Sequence, residues 1–177
     1  MTTHSRFLRQ HPAHFLALGL GSGLSPKAPG TAGTLWAWLA FLVLQPWMSD
    51  TAWGVTLLLG LVVGWWACTV TAKHLGITDP SMIVWDEIIA FWAVLWLVMP
   101  AGFGDQVLAF VLFRFFDAVK PGPVGWADRL FHRRVVYREV NGQTVSTGWW
   151  LAGWGILFDD LVAAFCTLLV MAFWRLL

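Results

Sequence analysis

The residues from Trp53 to Val70 form a run of 18 without one charged side chain. No other feature limits the fold as strongly. A bilayer's hydrocarbon core is crossed by a helix of about 20 mostly apolar residues, and this run fits that requirement. Leu35–Met48 and Val107–Val119 are shorter apolar runs, while Ile83–Met99 carries Asp86 and Glu87 near its start. Gly155–Leu176 carries Asp159 and Asp160 near its start. Hydropathy therefore predicts an all-α, polytopic helical membrane protein with about five membrane segments, built as one domain over residues 1–177. The short runs are expected to tilt little, thin the bilayer or dip in without crossing. Composition agrees, because the chain is 58% hydrophobic and 12% charged, against about 25% charged in a soluble domain. The 14 Trp beside a single Tyr suit bilayer interfaces. The apolar patch Phe15–Leu20 is short and runs into Gly/Pro-rich sequence, so the first span is expected to act as its own insertion signal.

Basic residues set the expected orientation. The loops Gln45–Ala52 and Pro100–Gln106 contain no Lys or Arg. Arg6, Arg9 and Lys27 precede the first segment, Lys73 follows the second, and Lys120, Arg129, Arg133, Arg134 and Arg138 precede the last. The positive-inside rule puts these stretches in the cytoplasm and leaves Arg175 on the far side. The acids then sort themselves. Asp50 and Asp105 fall in outer loops as solvated carboxylates. Asp79, Asp86, Glu87, Asp117, Asp128, Asp159 and Asp160 fall at or just inside the cytoplasmic face. Arg138–Thr147 is the most polar stretch and reads as a surface loop or hairpin with Asn141-Gly142 at its tip. The net charge of +1 says nothing about nucleic acid, but the chain has no basic tract, so no nucleic-acid partner is expected.

Carboxylates within a membrane segment are expensive and mark a site, which singles out Asp86 and Glu87. Asp79-Pro80-Ser81 reads as the start of their helix, with Asp79 as its cap and Pro80 in the first turn. Asp86 then shares a face with Asp79, for which capping and a site role stand level. Arg114, Asp117 and Lys120 fall at i, i+3 and i+6, one polar stripe on an aromatic surface. A neutralised ion pair and a metal-binding acid beside two phosphate-binding cations explain that stripe equally well. Asp159 and Asp160 are adjacent carboxylates that require a cation. Gly19–Thr34 holds five Gly, two Pro, four hydroxyls including Ser25 and Thr31, one Lys and no acid. Such backbone suits close approach to an anion at a cytoplasmic-face loop, with Lys27 at its centre. The five His show no metal-ligand spacing, and Cys68 and Cys166 sit in apolar runs as filler. Oxygen ligands without His or thiolate favour Mg²⁺ over Zn²⁺. Together these groups point to a metal-dependent enzyme acting on a lipid phosphate. A small transporter with charges lining an ion path is the reading from another class, though charge spread through membrane depth is not apparent.

Four blocks make the sequence familiar. Residues 21–34, Trp85-Asp86-Glu87-Ile88-Ile89, Phe113-Arg114-Phe115-Phe116-Asp117-Ala118-Val119-Lys120-Pro121 with Asp128 downstream, and Gly155-Ile156-Leu157-Phe158-Asp159-Asp160 resemble, in this order, the motifs of the bacterial phosphatidylglycerophosphatase A family. The resemblance spans about His14 to Ala164. It departs at Gly122, where an aromatic is expected, at Ala90 and Ala164, where Gly is expected, and in a longer loop from Phe131 to Trp154. The resemblance implies Mg²⁺-dependent hydrolysis of phosphatidylglycerophosphate to phosphatidylglycerol and phosphate at the bacterial inner membrane. It implies Asp86, Glu87, Asp117, Asp159 and Asp160 as metal ligands. Asp86, Glu87, Asp117 and Asp160 are expected to be catalytic, and Lys27, Arg114, Lys120, Ser25 and Thr31 to contact phosphate. Direct attack by water and a phospho-aspartate intermediate both remain open, as do another lipid phosphate as substrate and a phosphotransferase reaction.

Overall fold

The computed structural model describes residues 3–131, 135–140 and 143–176. Helix α1 (Thr3–Gln10) and helix α2 (Pro12–Ala17) lead into a 3₁₀ segment, Gly19–Leu24. Helix α3 (Pro29–Leu44) is extended by a 3₁₀ turn, Gln45–Trp47, and is followed by the long α4 (Asp50–Leu75). Then come α5 (Trp85–Val98), α6 (Phe103–Val119), α7 (Pro123–Phe131), strands β1 (Val136–Val140) and β2 (Gln143–Thr147), and α8 (Trp149–Trp174). The ends follow local chemistry. Ser49 caps α4 by accepting the Ala52 N–H at 3.2 Å, and Gly76 ends it in the left-handed region at φ 68°. Helix α8 is central and packs on α4, α5, α6 and α7, while α3 packs on α5 and α2 on α4.

Small residues permit the closest helix crossings, as in membrane bundles generally. A Cβ on Gly153 of α8 would fall 2.9 Å from the Thr69 Cα of α4. Gly60 and Gly64 of α4 receive Ile89 and Trp85 of α5, and the Trp85 indole donates to the Gly60 carbonyl at 2.9 Å. Trp53, Phe41, Phe91 and Phe113 are the largest fully buried side chains of the core. Outside it, Leu39, Val43, Leu58, Leu59, Val62, Phe165, Leu169 and Phe173 are all exposed. Two helices among the described residues, α4 and α8, are long and apolar enough to cross a membrane. Their 26 residues each span about 39 Å at about 1.5 Å per residue. At 16, 14 and 17 residues, α3, α5 and α6 span about 21 to 26 Å, short of a bilayer core of about 30 Å. Mostly helical architecture agrees with expectation; five crossing segments are not established by it.

Three local expectations are corrected. Helix α5 does not start at Asp79-Pro80-Ser81 but at Trp85, with Val84 as N-cap residue. The Val84 N–H donates to the Ala17 carbonyl at 2.9 Å, and this tertiary bond holds the approach to the helix in non-helical backbone. Asp79 therefore does not cap α5. Helix α8 begins at Trp149, after Gly148 at φ 95°, so Asp159 and Asp160 lie in its interior rather than near its start. Lys120 is not helical; at φ 49° it closes α6. The polar stretch forms a real hairpin, with Val140 opposite Gln143, a small departure from an all-α chain. Its Asn141-Gly142 tip and the basic residues Arg133 and Arg134 lie outside the described residues.

His14 and His74 prove structural. Buried His14 contacts the Phe7 carbonyl through Nδ1 at 2.9 Å and His74 Nδ1 through Nε2 at 2.8 Å, tying α1 and α2 to the end of α4. Burial, ahead of the neighbouring imidazoles, lowers its pKa. At the other end of the molecule, Asp105 is not simply solvated but lies 4.0 Å from Arg175.

Candidate active site

Helix ends and one helix interior bring the sequence-predicted acids together. Asp86 and Glu87 occupy the first turn of α5, where the helix dipole favours negative charge. Arg114 and Asp117 come from the end of α6, Lys120 from its left-handed C-cap, and Asp159 and Asp160 from the interior of α8. All seven line one cavity of about 300 Å³, whose wall also includes Asp79, Ser81 and the start of α3 from Ala28 to Gly30. Ala28 is left-handed at φ 46°, an uncommon backbone for a residue with a Cβ, of the kind stored at functional sites. Lys27, Ser25 and Thr31 do not belong to this wall.

Two cations organise the acids. The Arg114 guanidinium donates to Asp117 at 2.5 Å and to the Thr34 hydroxyl at 3.3 Å, and lies 3.8 Å from Glu87. Thr34 in turn donates to the Gly30 carbonyl at 2.8 Å. Gly30 is glycine for a visible reason: a Cβ there would overlap Glu87 Oε1 and lie 3.1 and 3.2 Å from the Arg114 nitrogens. The Lys120 ammonium donates to Asp128 and Asp159, both at 2.5 Å. Burial works against that ammonium, but the Asp159 and Asp128 carboxylates outweigh it and hold its pKa above the ordinary lysine range.

Three further acids, Asp86, Glu87 and Asp160, form a cluster of their own. Asp86, Glu87 and Asp160 each offer one carboxylate oxygen within 4.8 Å of the other two. Glu87 and Asp160 are only 9% and 3% exposed. Asp86 Oδ1, Glu87 Oε2 and Asp160 Oδ2 are buried and have no hydrogen-bond partner among the described residues. Buried carboxylates so close together repel and need a positive charge between them. An all-oxygen donor set fits a hard divalent cation. Of the five expected metal ligands, three thus converge, whereas Asp117 and Asp159 are engaged by Arg114 and Lys120. The contributions of Gly30 and Thr34 lay within the Gly-rich segment, but their partners in α5 and α6 are distant in sequence.

The phosphatidylglycerophosphatase A family model matches residues 15–137. The chain belongs to that family. It is 38% identical over 160 residues to phosphatidylglycerophosphatase A of Escherichia coli (strain K12), covering 90% of this chain and 81% of the relative. It is 30% identical over 161 residues to phosphatidylglycerophosphatase A of Haemophilus influenzae, covering 91% of this chain and 87% of the relative. No solved structure gives a significant match. Family membership makes the chain a phosphatase. The family model spans Asp86, Glu87, Arg114, Asp117 and Lys120; Asp159 and Asp160 lie beyond its end.

Proposed function

We propose that this chain removes the terminal phosphate of phosphatidylglycerophosphate, leaving phosphatidylglycerol, with Mg²⁺ held by Asp86, Glu87 and Asp160. The convergence of those three carboxylates, each with a buried unpartnered oxygen, carries the reading. The names of the two relatives supply the substrate. Bound Mg²⁺ would supply Lewis-acid stabilisation of charge on the transferring phosphoryl group.

This chain's own residues do the rest. Arg114 offers a planar fork suited to phosphate oxygens, and Lys120 adds a second fixed positive charge. Asp117 and Asp159 orient those two cations through their ion pairs. Gly30 leaves the space that lets α3 approach Glu87 and Arg114. Water attacks phosphorus in line, a cavity carboxylate accepts its proton, and the glycerol oxygen leaves and is protonated.

The site is proposed to face the cytoplasm from a multi-pass chain in the bacterial inner membrane. Lys73, Lys120 and Arg129 support this orientation by the positive-inside rule, together with the exposed apolar surface of α4 and α8. The substrate assignment is tested by phosphate release from detergent-purified chain offered phosphatidylglycerophosphate and, separately, phosphatidic acid. Faster turnover of phosphatidylglycerophosphate is expected; equal rates on both would remove the narrow substrate.

A further inference from the structure

A second cavity of about 490 Å³ lies beside the first, between the Gly23–Pro26 backbone and Met82. Pro29 and Ser81 belong to both walls. The two spaces differ in charge. The first carries six carboxylates against Arg114 and Lys120, whereas the wall of the second has no ionisable side chain and presents the hydroxyls of Ser25 and Ser81. The Ser25 hydroxyl donates to the Lys27 carbonyl at 2.8 Å, and Lys27, two residues from Ser25, is exposed.

The proposed substrate carries two phosphates, a terminal monoester and a diester, joined across one glycerol. With the monoester against Arg114 and Lys120, the diester must lie close by. It cannot share the acid cluster without like-charge repulsion at short range. The adjoining space is acid-free and shares Pro29 and Ser81 with the first.

Resting on the phosphatase reading above, we propose that this second cavity binds the glycerol phosphodiester arm of the lipid. Lys27 meets the diester charge. Ser25, whose oxygen keeps lone pairs after donating to Lys27, accepts from the glycerol hydroxyl. This gives Lys27 and Ser25 a role outside the reacting centre. It also gives the enzyme a means to prefer lipids whose phosphate is set one glycerol away from the diester.

The test compares two inhibitors of phosphatidylglycerophosphate hydrolysis by the full chain in detergent. Short-chain phosphatidylglycerol retains the diester arm and lacks the monoester; inorganic phosphate is the reverse. Wild type is measured beside Lys27→Glu and Ser25→Leu, the latter filling the space. The inhibition constant for phosphatidylglycerol and the KM are expected to rise about tenfold, as for loss of one charge-assisted contact. The inhibition constant for phosphate should stay within about twofold. Equal shifts for both inhibitors, or no inhibition of wild type by phosphatidylglycerol, would overturn the arm site alone. A wild type that releases no phosphate would overturn both it and the phosphatase reading. Lys27 is exposed, so the Lys27→Glu variant decides between these outcomes even where Ser25→Leu fails to fold.

Discussion

Gly30→Ala should separate activity from stability. Gly30 lies in the first turn of α3 and does not occupy the left-handed region, so alanine suits its backbone. The added Cβ would overlap Glu87 Oε1 and approach both terminal Arg114 nitrogens to 3.1 and 3.2 Å. These atoms are the ends of side chains, so they shift while the backbone stays. Overpacking costs about 1–3 kcal/mol, and exchanging Gly for Ala in a helix returns about 0.5–1 kcal/mol. The net loss is about 0–2.5 kcal/mol, or at most about 10 °C of Tm for a chain of this size. Displacing a reacting group by about 1 Å lowers the rate on the order of 100-fold. Thermal unfolding in detergent and phosphate release, measured on the same preparation, should therefore diverge: a small drop in Tm with about a 100-fold loss of kcat/KM. A folded Gly30→Ala variant with wild-type turnover would refute the placement of Glu87 and Arg114 at the reacting centre.

Other consequences follow from specific contacts. A double-mutant cycle on Lys120→Met and Asp159→Asn, read by chemical denaturation, should give a coupling of about 1–3 kcal/mol, because Asp159 is buried and its ammonium partner only partly exposed; additivity would contradict the pair. Gly153→Ala should destabilise by about 2–3 kcal/mol, because its Cβ meets Thr69 backbone that cannot yield, whereas Gly104→Ala, with nothing within 4 Å, should be near neutral; unfolding midpoints compare the two. The lowered pKa of His14 means the unfolded chain takes up that proton first as pH falls. Its contribution is full above the ordinary histidine pKa of 6.5 and is lost as pH falls through the folded value. The fall of Tm between about pH 7 and pH 5 should therefore be shallower in His14→Phe than in wild type; identical slopes would contradict this.

Asp86 and Glu87 are legible in the sequence because carboxylates among Trp, Ile and Phe are costly in an apolar segment and usually mark a site. The apolar runs are legible for the same energetic reason. The start of α5 is not: Asp79-Pro80-Ser81 carries strong local capping signals, yet the Val84–Ala17 hydrogen bond overrides them from 67 positions away. The start of α8 is hidden because hydropathy begins the segment at Gly155, after a loop read from Phe131 to Trp154, so Asp159 and Asp160 look terminal when they are central. Charge in the Gly-rich segment points to an anion but not to a cavity: Ser25 lines the second space and not the first, and Lys27 lines neither. Thr34 bonding to Arg114 across 80 positions leaves no local trace at all.

The central claim is that Asp86, Glu87 and Asp160 hold the cation that makes this chain a phosphatidylglycerophosphate phosphatase. It is tested most directly by phosphate release from that lipid, with Mg²⁺ and with chelator, by wild type and by Asp160→Asn verified as folded. Wild type is expected to release phosphate only with Mg²⁺, and the variant to lose at least about 100-fold. Release that persists in chelator, or an Asp160→Asn enzyme as fast as wild type, would contradict it.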